Sequence, residues 1–216
     1  LVTGTGLAEL GATVTCVDVD RKKIQALARG NIPIYEAGLE PLVARNLRRG
    51  RLHFTTNRIR PYQESDVIFI AVGTPPKDNG DADLTFVEQA ASDIAKALEK
   101  LPALRRSYKV IVNKSTVPIG TGDLVTNSIA KRYSGPFAVV SNPEFLREGQ
   151  AVEDFFHPDR IVIGGDEESA KRIVKNLYRK LHAPVLATDV KTAEMIKYAS
   201  NAFLATSISF INAIAT

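Results

Sequence analysis

Six apolar residues in a row, Val67-Ile68-Phe69-Ile70-Ala71-Val72, give way at once to a polar loop over 73–83 (G-T-P-P-K-D-N-G-D-A-D). An alternating strand leaves one face wet, whereas an unbroken apolar run fits a strand buried on both faces. Such a strand needs helices on each side of its sheet, and the rest of the chain supplies them. Strands are expected over 13–17, 52–55, 67–72, 110–112, 137–140, 161–163 and 184–187. Helices are expected over 21–29, with Asp20 as N-cap, then 39–49, 86–98, 122–132, 167–181 and from 190 onward. This alternation predicts an α/β fold: a Rossmann-like, doubly wound, mostly parallel sheet.

Residues 1–10 read as a helix closed by Gly11, with Gly4 and Gly6 allowing close packing on the sheet. A doubly wound dinucleotide fold starts with a strand and a Gly-rich turn ahead of that helix. Both are expected to be missing here. Gly4-Thr5-Gly6 does not replace the turn, because no strand precedes it and Glu9 stands where its last glycine belongs. The final helix stops at Thr216 inside an apolar pattern. The chain therefore reads as cut at both ends, with one domain over 1–189 and the start of a linking helix over 190–216.

Composition removes several classes of function. The 216 residues include a single cysteine, so no internal disulfide framework exists and a reducing cytosol is expected. Cys16 lies in a β-branched strand and reads as a small buried hydrophobe. His53, His157 and His182 show no metal-ligand spacing, and no metal is expected. The net charge is +4. Arg45, Arg48, Arg49 and Arg51 form the densest basic run, without the aromatic interleaving of a nucleic-acid surface, and read as a solvated helix end. A mild positive balance suits an anionic small substrate. No membrane span or signal peptide is expected.

Four places can carry chemistry. Asp18 ends the first strand; it is either a surface aspartate or an acceptor for ribose hydroxyls, which would favour NAD over NADP. Ser115 and Thr116 precede Pro118 and are either helix N-caps or ligand contacts. Asn142-Pro143-Glu144-Phe145-Leu146-Arg147-Glu148-Gly149 follows a strand. Its glutamates are either solvated at a turn or placed for proton transfer or hydroxyl binding. Lys197 and Asn201 share a helix face, to which Asn212 nearly returns, and imply either a buried hydrogen-bond network or a ligand.

Seven segments, in order, resemble the UDP-glucose/GDP-mannose dehydrogenase family: V-T-C-V-D-V-D at 14–20, P-I-Y-E-A-G-L at 33–39, V-G-T-P-P at 72–76, K-S-T-V-P at 114–118, S-N-P-E-F-L-R-E-G at 141–149, H-P-D-R-I-V-I-G-G at 157–165 and K-Y-A-S-N-A-F-L-A at 197–205. The resemblance implies NAD-dependent oxidation of the C6 hydroxymethyl of a nucleotide sugar to a carboxylate, through aldehyde and thioester stages. UDP-glucose is preferred as substrate because 188–205 looks closest to that branch; GDP-mannose and UDP-N-acetylmannosamine are the alternatives. Asp18 and Lys23 would serve the adenosine ribose. Val72, Gly73, Thr74 and Pro75, with Ser115 and Thr116, would line the NAD site, Thr116 also serving catalysis. Glu148 would sit at the nicotinamide end. Glu144 would transfer protons in thioester hydrolysis, Phe145 and Leu146 would contact substrate, and Lys197 with Asn201 would stabilise an oxyanion. The thioester cysteine is not matched by Cys16, so the 216 residues alone are expected to be inactive. The last helix would form a homodimer, and the protein would be cytoplasmic. A non-catalytic dinucleotide-binding module remains the reading from another class; other NAD-dependent dehydrogenases lack the N-P-E-F-L segment.

Overall fold

The computed structural model describes residues 1–215. Helix α1 (Val2–Leu10) ends at Gly11, whose φ of 113° is left-handed, as expected of the C-cap. Strand β1 (Val14–Val17), α2 (Arg21–Ala28), α3 (Leu39–Arg48) and β2 (Leu52–Thr55) follow. Then come α4 (Ile59–Glu64), β3 (Val67–Ile70), α5 (Thr85–Glu99), β4 (Lys109–Asn113) and α6 (Thr121–Ala130). The chain continues through β5 (Phe137–Ser141), α7 (Ala151–Phe156), β6 (Ile161–Gly164), α8 (Glu168–Leu177), β7 (Val185–Thr188) and α9 (Val190–Ala215). The short helices α4 and α7 are additions to the sequence expectation. Helix α4 carries Pro61 in its first turn, where a missing N–H costs nothing, and Asn57 Oδ1 accepts from Ile59 N at 2.9 Å.

The strands form two blocks, β1-β2 and β3-β4-β5-β6-β7, with no ladder between β1 and β3. That division suits a doubly wound sheet without its first strand. Within the larger block, β3, β4 and β5 are parallel and successive residues serve opposite faces. Ile111 and Val139 pack with α5 and α6, while Val110, Val112, Ala138 and Val140 pack with α1, α7 and α8. The sheet is thus buried on both faces. Strand β6 departs from the parallel pattern. It meets β5 antiparallel at Ser141 and Gly164, and β7 then runs parallel to β6. The link from β5 to β6 carries only the six-residue α7, too short to cross the sheet face and bring the chain back in parallel. Continuing the antiparallel register sets Arg160 and Ile161 beside the residues just past β5.

Glycines set two close approaches. A Cβ on Gly4 would meet Cys16 Sγ at 2.7 Å, so Gly4 does let α1 lie on β1. Gly6 is placed otherwise than expected: it faces the Phe155 ring of α7, which a Cβ would meet within 2.5 Å, and not the sheet. The basic run also differs from a simple solvated helix end. Arg45 and Arg49 both reach Glu9 of α1, at 3.0 and 3.8 Å.

Candidate active site

Because β3, β4 and β5 are parallel, the loops that leave them emerge at one edge of the sheet. Ligands of open α/β sheets bind along that edge. The loop after β4 is fastened to the loop after β3. Ser115 Oγ accepts from Val72 N at 3.0 Å and donates to Val72 O at 2.8 Å, and Thr74 Oγ1 donates to Thr116 O at 2.7 Å. These contacts bring Val72, Gly73, Thr74, Pro75, Ser115 and Thr116 together. They also decide against the capping alternative. Helix α6 starts at Thr121 with Gly120 as its N-cap, and Ser115 and Thr116 lie too far upstream to serve it.

Asp18 follows β1 directly. Its Oδ2 accepts from Lys23 Nζ at 2.6 Å and its Oδ1 from Asp20 N at 3.0 Å. Burial pushes the Asp18 carboxyl up, but these hydrogen bonds outweigh it and hold it below the ordinary value. Asp20 caps α2 through Lys22 N and Lys23 N. Each Asp18 oxygen keeps accepting capacity for a hydroxyl. An acid at a strand end with free lone pairs can accept from the hydroxyls of a ribose.

A cleft of about 570 Å³ opens past the end of β5. It gathers Glu144, Phe145, Leu146, Lys197 and Asn201, all expected from sequence, and adds Lys114 and Arg160. Its lining does not include Thr116 or Glu148. Glu148 is exposed on the loop leading to α7. Asn201 is exposed in the cleft, so it does not belong to a buried network. The Phe145 side chain carries cations on its ring, with Arg160 Cζ at 4.5 Å and Lys197 Nζ at 5.0 Å from the centroid.

The 142–149 loop is held from three sides. Asn142 Oδ1 accepts from the buried Tyr178 hydroxyl at 2.7 Å, and Asn142 Nδ2 donates to Val162 O at 2.8 Å. Arg147 makes a two-pronged contact with Asp154 of α7, at 3.1 and 2.6 Å. Glu36 accepts from Gly149 N and Ala151 N, each at 3.0 Å, which joins the P-I-Y-E-A-G-L segment to the end of this loop. Lys197 is buried, and that burial pushes its ammonium down; Glu144 opposes the shift and Arg160 adds to it. Burial likewise pushes the Tyr178 phenol up, and Glu144 adds to that shift. The first turn of α9 is fixed by Glu194, 1% exposed, whose carboxylate accepts from Gly120 N at 2.7 Å and Gly122 N at 2.8 Å.

Sequence reasoning passed over Lys114, Arg160, Tyr178, Glu36 and Glu194. Lys114 and Arg160 stand inside recognised segments, which was the available signal. Tyr178 and Glu194 lie in helices that read as ordinary amphipathic pattern. Among the described residues, no group of three His, Cys, Asp or Glu side chains could hold a metal, and no helix is long and apolar enough to cross a membrane.

Comparison with known proteins bears on both halves of this picture. Residues 1–182 match the model of the UDP-glucose/GDP-mannose dehydrogenase family, NAD binding domain, and 191–216 that family's central domain. UDP-glucose 6-dehydrogenase TuaD of Bacillus subtilis is 52% identical over 217 residues, covering 100% of this chain and 46% of that protein. A UDP-glucose dehydrogenase structure from Pyrobaculum islandicum superposes with a TM-score of 0.94 at 43% identity, covering 99% of this chain and 49% of that one. A GDP-mannose dehydrogenase structure from Pseudomonas aeruginosa gives 0.90 at 36% identity, covering 98% and 49%. The chain spans about half the length of the curated relatives it matches.

Proposed function

The chain belongs to the UDP-glucose/GDP-mannose dehydrogenase family, and on that premise we propose that it forms the NAD-binding half of an enzyme that oxidises UDP-glucose to UDP-glucuronate. The observation that carries this reading is the cleft that joins Glu144, Lys197 and Asn201 beside the fastened cofactor loops. NAD, when bound, supplies the hydride acceptor. Asp18 holds the ribose hydroxyls, with Lys23 balancing its charge. Val72–Pro75, Ser115 and Thr116 shape the dinucleotide's path, and Glu148 borders its nicotinamide end. Lys197 and Asn201, one helical turn apart, converge on the oxygen that gains charge as C6 is oxidised. Glu144 accepts the proton of the water that hydrolyses the thioester. The thiol is not Cys16, which lies on β1 against α1 and not in the cleft.

A division at 189/190 suits the continuous run of α9 from Val190. UDP-glucose is preferred over GDP-mannose and UDP-N-acetylmannosamine because the relatives near half identity are named for it. The test is NADH formation by the full-length protein with each of these sugars. UDP-glucose should give the highest kcat/KM, and a clear preference for another sugar would overturn the substrate assignment. Lys197→Ala should lower kcat by roughly a hundredfold or more, as loss of an oxyanion-stabilising group does. An unchanged kcat would remove Lys197 from this role. The 216-residue chain alone should form no UDP-glucuronate, since no thiol faces its cleft to carry the thioester stage.

A further inference from the structure

Lys114 is the first residue after β4, and its side chain is almost wholly enclosed, at 7% exposure. Its ammonium makes one long hydrogen bond, to Asn142 O at 3.3 Å. An ammonium has three N–H donors and is costly to bury without partners. Lys114 forms no ion pair among the described residues, and it lines the cleft. The Glu144 side chain likewise makes no hydrogen bond or ion pair among the described residues, although it stands close enough to act on Lys114 by charge. The groups on which this carboxylate acts come from separate elements: Lys114 after β4, Lys197 on α9 and Tyr178 at the end of α8, while Arg160 ahead of β6 lines the same cleft and acts on Lys197.

We infer that Lys114 is a positioning residue for Glu144: a second buried cation, beside Lys197, that turns the Glu144 carboxylate toward the cleft and supplies its counter-charge. The inference rests on the proposed role of Glu144 in proton transfer. A purely structural lysine would be expected to pair with a carboxylate or satisfy several carbonyls. Lys114 instead keeps donors unmatched beside the cleft that Glu144 also lines. Lysine is also the smaller choice for a point contact in a closed floor, where a guanidinium would need planar partners. Burial drives its ammonium down to about 8, Glu144 opposes that shift and Lys197 adds to it. Near neutral pH the group therefore still carries its charge.

Two measurements on the full-length protein test this, one of them independent of activity. In the first, Lys114→Met replaces the ammonium with an apolar group of similar length. The expected result is an unchanged or raised melting temperature together with a kcat lowered by roughly tenfold to a hundredfold. KM for the nucleotide sugar should change little, and Lys114→Arg should restore part of kcat. A lowered melting temperature with no rescue by arginine would make Lys114 a structural residue, and an unchanged kcat would deny it any role. In the second, melting temperatures are compared for Lys114→Met, Glu144→Gln and the double variant. Glu144→Gln should lower the midpoint by leaving Lys114 without a counter-charge, and adding Lys114→Met should recover it. Additive shifts would break the link between the two residues. If the unmodified protein oxidises no nucleotide sugar, the functional reading fails, and this cycle still decides whether Lys114 and Glu144 are coupled.

Discussion

A single glycine decides whether α9, the helix that carries Lys197, can sit where it does. A Cβ on Gly164 would meet Ala193 Cβ and the backbone oxygen of Asp189, each at 2.4 Å. Neither atom belongs to a flexible side-chain end, so Gly164→Ala must push the first turn of α9 off β6. It should destabilise the fold by about 1–3 kcal/mol, seen as a lower urea midpoint. Because Lys197 lies one turn beyond Ala193, kcat should fall with it. From sequence, Gly164-Gly165 could be read only as the end of a strand; the neighbour that forbids a side chain arrives from residues 189–193. Lys114 was illegible for the same kind of reason. Nothing in K-S-T-V-P marks its lysine as enclosed. Its burial has a consequence for pH. Between about 8 and the ordinary 10.5, the unfolded chain holds a proton that folded Lys114 has lost. Over that window this group makes stability rise with pH, by on the order of 3 kcal/mol at most, and below it the cost of the buried charge is fully present. Comparing urea midpoints near pH 8 and pH 10 should show this rise in the unmodified protein and its loss in Lys114→Met.

Elements were legible where a pattern ran long enough to be periodic. The apolar runs of β3, β4 and β5 and the long helices α5, α8 and α9 lie within a few residues of their expected ends. The six-residue α4 and α7 were not legible, because fewer than two turns cannot show a helical repeat. The start of α6 was expected at 122 and lies at Thr121; what the sequence could not show was its cap. Serine, threonine and proline at 115–118 suggest a cap, yet the partner that satisfies the α6 N-terminus is Glu194, more than seventy residues further along. That carboxylate joins two elements: it occupies the positive end of α6 and holds the turn of α9 from which Lys197 projects. Removing it leaves two backbone N–H groups without partners. Glu194→Ala should cost about 2 kcal/mol or more and Glu194→Gln less, since an amide oxygen can still accept from one of them. Thermal denaturation of both variants checks the order. Equal losses would mean that the contact is not made as described.

At the scale of the whole molecule, the doubly wound plan was legible in the strand–helix alternation, but the antiparallel entry of β6 was not. Strand direction depends on whether a connection crosses the sheet, and the sequence over 142–160 fits either outcome. Among the described residues, α9 also presents an apolar surface that the sheet does not cover. Beyond its first turns, α9 leaves the sheet, and Phe203, Leu204, Ile208, Ile211 and Ile214 are exposed, Phe203 at 76%. Fully burying a side chain of this size contributes about 1.5–3 kcal/mol. Association costs roughly 4–15 kcal/mol in lost freedom. One such residue could not drive self-association, whereas several on each of two copies can exceed the cost. We therefore expect the 216-residue chain to form dimers through α9 at micromolar concentration, measured by light scattering. Phe203→Glu combined with Ile211→Glu places two charges on this face of each copy and should give monomers, while the melting temperature of the sheet domain stays close to its original value. A parent chain that is monomeric over the same range would mean that this face is covered by another part of the protein and not by a second copy.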